Sequence, residues 1–394
     1  MTDTQKKNLA CEISSISVFR GILNKKPIIA LLDFLTSDGD TQSKMSLFGE
    51  FVYSLAEDDY SLSRFLCRAV YEDENNYIIG TARASKLPTV LLENAAAELE
   101  LFSRVSRLNA NDLCQSIEYG GYIPQFENEY VDFVSTYKDR LDHIGRYGYG
   151  IFASAKMFRV ADGVIVPVEA ADDISIDSFV GYEDERRKVL ENTRALVEGK
   201  TAANVLLFGD AGTGKSSTVK ACANHFADEG VRLIEIRKDQ LFSLSYVMGR
   251  IAENPLKFII FIDDLSFNKN DDCFSMLKAA LEGSASAKAK NAVIYATSNR
   301  RHIVKENFSD RGESDDVHHS DTVQELMSLS DRFGLTVYFE RPNKSLYLDI
   351  IHALADKNDV KMDKKELDIK AEAFALAKGS RSPRAAEQFI SSLL

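Results

Sequence analysis

The sequence predicts an α/β protein in which a parallel sheet is covered by helices on both faces. An all-helical region precedes it and a small helical lid follows. Three observations carry this: apolar residues recur at helical spacing from about Ser14 to Tyr137, strand-like and helix-like runs alternate from 174 to 342, and 343–394 turns helical again. The expected parts are a helical domain over 1–144, an extended or short-strand linker over 145–173, the α/β core over 174–342 and the lid over 343–394.

In the first part the helical stripes include Ile28, Leu31, Leu32, Phe34 and Leu35, then Phe48, Phe51, Val52 and Leu55. The aromatics Phe65, Tyr71, Phe102 and Tyr130 fall within such stripes and read as core packing. No catalytic constellation is apparent here. From Gly145 to Val168 glycines give way to Ile151-Phe152 and to Val164 through Val168, which read as short strands or an extended crossing. Ala170 to Asp173 reads as a linker.

Strands are then expected at Asn204–Phe208, Arg232–Ile236, Lys257–Ile262, Ala292–Thr297 and Gly334–Glu340. Helices are expected at Ser217–Phe226, Leu241–Ala252 and Phe274–Gly283, with lid helices at Lys344–Lys357, Lys365–Lys378 and Pro383–Leu393. Alternation of this kind builds a parallel sheet buried on both faces.

Between the first of these strands and its helix runs Gly209-Asp210-Ala211-Gly212-Thr213-Gly214-Lys215-Ser216, followed by Ser217, which fits GxxxxGK[ST] at every fixed position. The glycines let backbone N–H groups wrap a phosphate closely, and the helix N-terminus adds a positive dipole. Lys215 is suited to the β and γ phosphates of a nucleoside triphosphate and the Ser216 hydroxyl to one position on Mg²⁺.

Three further groups fall at strand or helix ends. The apolar strand Phe258 to Ile262 ends in Asp263 and Asp264, and is expected to lie beside the glycine-loop strand. Asp263 is placed to hold Mg²⁺, and Asp264 to orient or deprotonate an attacking water. The usual residue at the second position is Glu; Asp is one methylene shorter, which points to slow hydrolysis. Ile294 to His302 puts Thr297, Ser298 and Asn299 at the carboxyl end of another core strand, where open α/β sheets bind ligands. Asn299 could meet the γ-phosphate, with Thr297 and Ser298 competing for that role and a plain turn or helix cap as the bland reading. Arg332 before the last strand, supplied from a neighbouring subunit, could stabilise a transferring phosphoryl group, and Arg384 at the start of the last helix could sense the γ-phosphate from the lid; on spacing alone surface ion pairs explain them too.

These features, in this order, make residues 174–394 resemble an AAA+ P-loop ATPase module. The phrases FVGYEDER, LLFGDAGTGKSS, FIIFIDDLSF, MLKAALEGS, YATSNRRH, LSDRFGL and SRSPRAA resemble more narrowly the uncharacterised bacterial AAA+ family catalogued as domain of unknown function 815. The helical N-terminal region and the Tyr149-Gly150-Ile151-Phe152 segment resemble it too, so the likeness covers most of the chain. It implies ATP and Mg²⁺ as cofactors, Asn299 as sensor 1, Arg332 as an arginine finger acting in trans within a homo-oligomer, and Arg384 as the sensor-2 arginine. It also implies that Phe179, Val180, Gly181 and Tyr182 hold adenine, and that Asp264 in place of Glu is a family trait.

The chain has 394 residues with 45% hydrophobic and 27% charged content, ordinary for a globular protein, and a net charge of −12 without a long Lys/Arg run. Direct nucleic-acid binding is therefore not expected. Cys11, Cys67, Cys114, Cys222 and Cys273 lack zinc-site spacing and are expected to be reduced and mostly buried. The N-terminus lacks an apolar signal core and no run of about 18 apolar residues occurs, so a cytoplasmic protein without membrane contact is expected. The polar, acidic stretch Phe308 to Thr322, with His318-His319, reads as a partner-binding loop and not a metal site. The leading functional expectation is an ATPase that couples nucleotide state to conformational change on an unidentified protein client. A non-hydrolysing ATP-gated switch or scaffold is the alternative, and a helicase-loader-like factor a third.

Overall fold

The structure is a computed structural model that describes residues 1–168, 174–265, 276–278, 281, 289–299 and 332–394. Ala170 to Asp173, Cys273, most of the expected helix at Phe274–Gly283 and the Phe308–Thr322 stretch lie outside them. The chain forms two compact units, Met1–Ser154 and Ala155–Leu394. No helix among the described residues is long and apolar enough to cross a membrane.

The first unit is helical as expected: α1 (Asp3–Ser14), α2 (Lys26–Thr36), α3 (Thr41–Ser54), α4 (Leu62–Glu72), α5 (Asn76–Ala82), α6 (Thr89–Val105), α7 (Ala110–Cys114), α8 (Phe133–Asp142) and α9 (Ile144–Tyr147). Helix starts are sealed by the residue types that favour them: Asp40, Ser61, Asn75, Asn109 and Asp132 each accept a hydrogen bond from a first-turn N–H. Phe19, Phe102 and Tyr137 pack edge to face at its centre, at 5.5 and 5.3 Å. The carboxylate of Glu98 is buried and accepts from the amides of Ser17, Val18 and Phe19, which pins the turn carrying Phe19. Phe65 and Phe102 are core residues as expected and Tyr71 packs against them, but Tyr130 does not belong to the core. It is 53% exposed and lies under the Arg107 guanidinium at 4.0 Å, a surface stack that offers the ring a cation in place of burial.

The second unit holds a seven-stranded sheet: β1 (Met157–Ala161), β2 (Val164–Pro167), β3 (Val205–Gly209), β4 (Val231–Glu235), β5 (Lys257–Ile262), β6 (Ala292–Ser298) and β7 (Leu335–Phe339), in the order β2-β1-β4-β5-β6-β3-β7. All pairings are parallel except that of β1 with β2. Helices α10 (Glu183–Val197), α11 (Lys215–His225) and α12 (Leu244–Ile251) accompany it, the last entered through a 3₁₀ turn at Lys238–Ser243. Helices at Lys344–Lys357, Lys364–Lys378 and Pro383–Ser391 form the lid around Tyr347, Ile351 and Phe389.

One expectation is corrected here. The strand ending in Asp263 is not beside the glycine-loop strand: β6 lies between them, pairing Leu207 of β3 with Thr297 and Ile260 of β5 with Ile294. From β3 the chain crosses to β4 and returns through β5 and β6, so the slot next to β3 is filled by β6. Within 145–173 the short-strand alternative is the one found at Val164–Pro167: β1 and β2 form a hairpin, and β1 extends the sheet by pairing Met157 with Leu233. The hairpin turns on Asp162-Gly163, both left-handed at φ 48° and 77°, the backbone that a two-residue turn requires.

Gly209 ends β3 at φ 137°, and a Cβ there would lie 2.1 Å from the Phe339 carbonyl oxygen of the neighbouring strand. Backbone cannot move aside cheaply, so Gly209→Ala is expected to cost about 3 kcal/mol or more of stability, measured by urea unfolding of the full chain.

Candidate functional site

The loop after β3 leads directly into α11, whose N-cap is Gly214 at φ 88°, so the positive helix end and its unpaired amides open onto the loop. Lys215 is buried, 5% exposed, and its Nζ donates to the carbonyls of Gly209 (3.1 Å) and Asp210 (2.7 Å) and to Asn299 Oδ1 (3.1 Å). Burial lowers its pKa below the ordinary lysine value, against the opposing pull of Asp210, Asp263 and Asp264. An ammonium so desolvated gains from an anion brought beside it.

Asp263 leaves the end of β5, and its Oδ1 accepts from Ser216 Oγ at 2.6 Å, Thr297 Oγ1 at 2.5 Å and the Asp264 amide at 3.1 Å. Thr297 Oγ1 accepts from that same amide at 2.9 Å. Asp264 stands at φ 50°, in the left-handed region that Asp and Asn enter more easily than other side chains bearing a Cβ. Its Oδ1 accepts from Asn299 Nδ2 at 2.9 Å, so Asn299 bridges Lys215 and Asp264. Of Thr297, Ser298 and Asn299, Ser298 is buried at 1% exposure and does not line the cleft, Thr297 lines it while bracing the two aspartates, and Asn299 lines it between Lys215 and Asp264.

A cleft of about 450 Å³ gathers these groups. Its floor is the loop from Ala211 through Ser217, one wall carries Asp263, Asp264 and Asn299, another carries Val180 and Tyr182, and the lid adds Ile350, Leu354 and Arg384. Tyr182 is anchored by its hydroxyl, which donates to the Glu340 carbonyl at 2.6 Å. The lid touches the loop directly, since the Arg384 amide donates to the Gly212 carbonyl at 3.3 Å. Gly209 and Asp210 contribute the carbonyls that hold Lys215 and do not line the wall. Gly181 packs under Leu346 of the first lid helix, its amide bonded to Glu183 Oε1 at 2.9 Å. Arg332 is half-buried and is not part of the cleft's lining.

The residues fit a nucleotide with a divalent ion. Ser216 and Asp263 bring a hydroxyl and a carboxylate together, the hard oxygen donors that Mg²⁺ takes, and the loop joined to a helix N-terminus suits phosphate. Residues 153–394 match the family described as protein of unknown function (DUF815). The chain belongs to that family. The matched segment covers the whole α/β unit of this DUF815 protein, with its mostly parallel sheet, the glycine loop after β3 and the C-terminal helices. Solved structures of Thermotoga maritima RuvB, one described as a Holliday junction branch migration motor and others as point mutants, are similar at 14% identity. They cover 56% of this chain and 72% of theirs, with a TM-score of 0.35, which bears on neither activity nor partner. No curated protein matches the sequence.

Several cleft residues of the DUF815 chain escaped the sequence reading. Ile350 and Leu354 had a signal, an i, i+4 apolar pair on the first lid helix. Arg186 had none, since it sits in the run Glu183 to Lys188 that reads as a solvated helix face, yet it is 7% exposed and lines the cleft. The left-handed backbone at Asp264 yields a prediction. Asp264→Asn keeps stability within about 0.5 kcal/mol, whereas Asp264→Glu, a poorer left-handed residue, costs about 1 kcal/mol in urea unfolding.

Proposed function

We propose that this chain binds ATP with Mg²⁺ in the cleft and hydrolyses it slowly. It works as a homo-oligomer in which Arg332 of a neighbouring copy completes the site, and it couples nucleotide state to conformational change on an unidentified protein client. The observation that supports this most is the gathering, in one cleft, of the glycine loop, Lys215, both aspartates, Asn299 and Arg384.

The loop amides and Lys215 hold the phosphates, and Ser216 with Asp263 holds the metal ion. Held there, Mg²⁺ would supply neutralisation of charge on the transferring phosphoryl group. Asp264 takes the proton of the attacking water, Asn299 orients that water, and Arg384 carries the nucleotide state to the lid through the contact its backbone already makes with Gly212. Arg332 stands outside the cleft lining of its own chain, as a residue used by a neighbour would.

The second reading, an ATP-gated switch with negligible turnover, is favoured by the Asn299 to Asp264 hydrogen bond, which occupies the carboxylate that would act on water. Steady-state ATPase rate measured against protein concentration separates the two. The expected result is a specific rate that rises with concentration and falls at least about 100-fold in Lys215→Ala and in Arg332→Ala. ATP binding with a flat, near-zero rate at every concentration contradicts the hydrolysis reading and leaves the switch.

A further inference from the structure

The cleft has two chemically different ends. At one lie the loop, Lys215, Ser216 and Asp263; at the other lie the apolar side chains Phe179, Val180, Ile350 and Leu354. If phosphates occupy the first, the base of a nucleotide falls against the second. Arg186, one turn into α10, belongs to this apolar end: its guanidinium carbon is 5.4 Å from the centre of the Phe179 ring.

Arg186 is 7% exposed, and its nearest carboxylate partner is Glu183 Oε1 at 3.7 Å, beyond hydrogen-bonding reach. That oxygen already accepts from the Gly181 amide, and the Glu183 side chain is 77% exposed. The contacts of the guanidinium include this loose ion pair and the Phe179 ring. It offers five donors and no acceptor, and it lines the cleft, so an acceptor on a bound ligand can take one of them.

The base end narrows which acceptor. Adenine presents N1, N3 and N7 as ring acceptors, of which N3 and N7 accept in guanine too; N7 lies on the open edge of the base and N3 beside the sugar, while the 6-amino group of adenine is a donor and cannot pair with arginine. Resting on the nucleotide reading above, we propose that Arg186 donates a hydrogen bond to N7 of the bound purine, making it a specificity residue that selects purine over pyrimidine nucleotides without separating adenine from guanine. Its aliphatic stem packs in the apolar wall beside Phe179, and its head supplies the polar contact that orients the base.

The test replaces N7 by carbon. Affinities of ATP and of 7-deaza-ATP are measured by competition against a fluorescent ATP analogue, with the full chain and with Arg186→Met, which keeps an unbranched apolar side chain in the wall. The expected result is 7-deaza-ATP binding about tenfold more weakly than ATP to the unaltered protein, the scale of one charge-assisted hydrogen bond, and the two binding alike to Arg186→Met. A merely structural role for Arg186 would weaken both ligands together and leave their ratio at one. Equal affinity of the two ligands for the unaltered protein overturns the proposal, and that comparison stands even if the variant does not fold. Retention of the tenfold preference by Arg186→Met overturns it too. Failure of every nucleotide to bind contradicts the nucleotide reading itself, and this proposal with it.

Discussion

One oxygen atom ties the site together. Asp263 Oδ1 receives hydrogen bonds from Ser216 at the start of α11, from Thr297 at the end of β6 and from the backbone of Asp264. Three segments far apart in sequence are thereby held at one point on the carboxyl edge of the sheet. The arrangement requires β6 to stand between β3 and β5, because only then does Thr297 lie beside both the loop strand and the acidic strand. The same packing turns Asp264 into a left-handed conformation and brings its carboxylate to Asn299, which in turn reaches Lys215. A change in any of the three segments is therefore felt by the others through short polar contacts as well as through the core their elements share.

Around that point the cleft is divided by chemistry. The loop, helix end and lysine make an electropositive floor, and the segment before α10 with the first lid helix makes an apolar wall. The lid joins both, since Ile350 and Leu354 belong to the wall while the Arg384 amide bonds the loop at Gly212. Movement of the lid thus changes both ends of the cleft together, which makes it a suitable reporter of what the cleft holds.

How much of this was legible depends on how local the rule is. The glycine loop was read residue by residue because phosphate binding imposes glycine, lysine and serine at fixed spacing on a strand-to-helix turn, and the strand at Lys257–Ile262 and the helix at Lys344–Lys357 fell where their apolar spacing put them. Strand order was not legible, because a buried parallel strand is apolar on both faces and carries no mark of its neighbour. The β1–β2 hairpin did carry one, Asp162-Gly163, ahead of a run read as short strands or an extended crossing. Tyr130 was misplaced and Arg186 was passed over. Helical spacing placed Tyr130 inside, where a stacked arginine lets it stay at the surface; Arg186, one turn into its helix, is buried and lines the cleft without any sequence signal of its own.

The central claim is that the Ser216 and Asp263 pair forms, with the loop, one metal-assisted nucleotide site. The most direct test is a calorimetric titration of ATP into the protein with Mg²⁺, with chelator, and with Mg²⁺ after Asp263→Asn. Saturable binding that weakens at least about tenfold on chelation, together with an Asp263→Asn variant that gains little from Mg²⁺, is the predicted result. Binding of equal strength in all three titrations would contradict it.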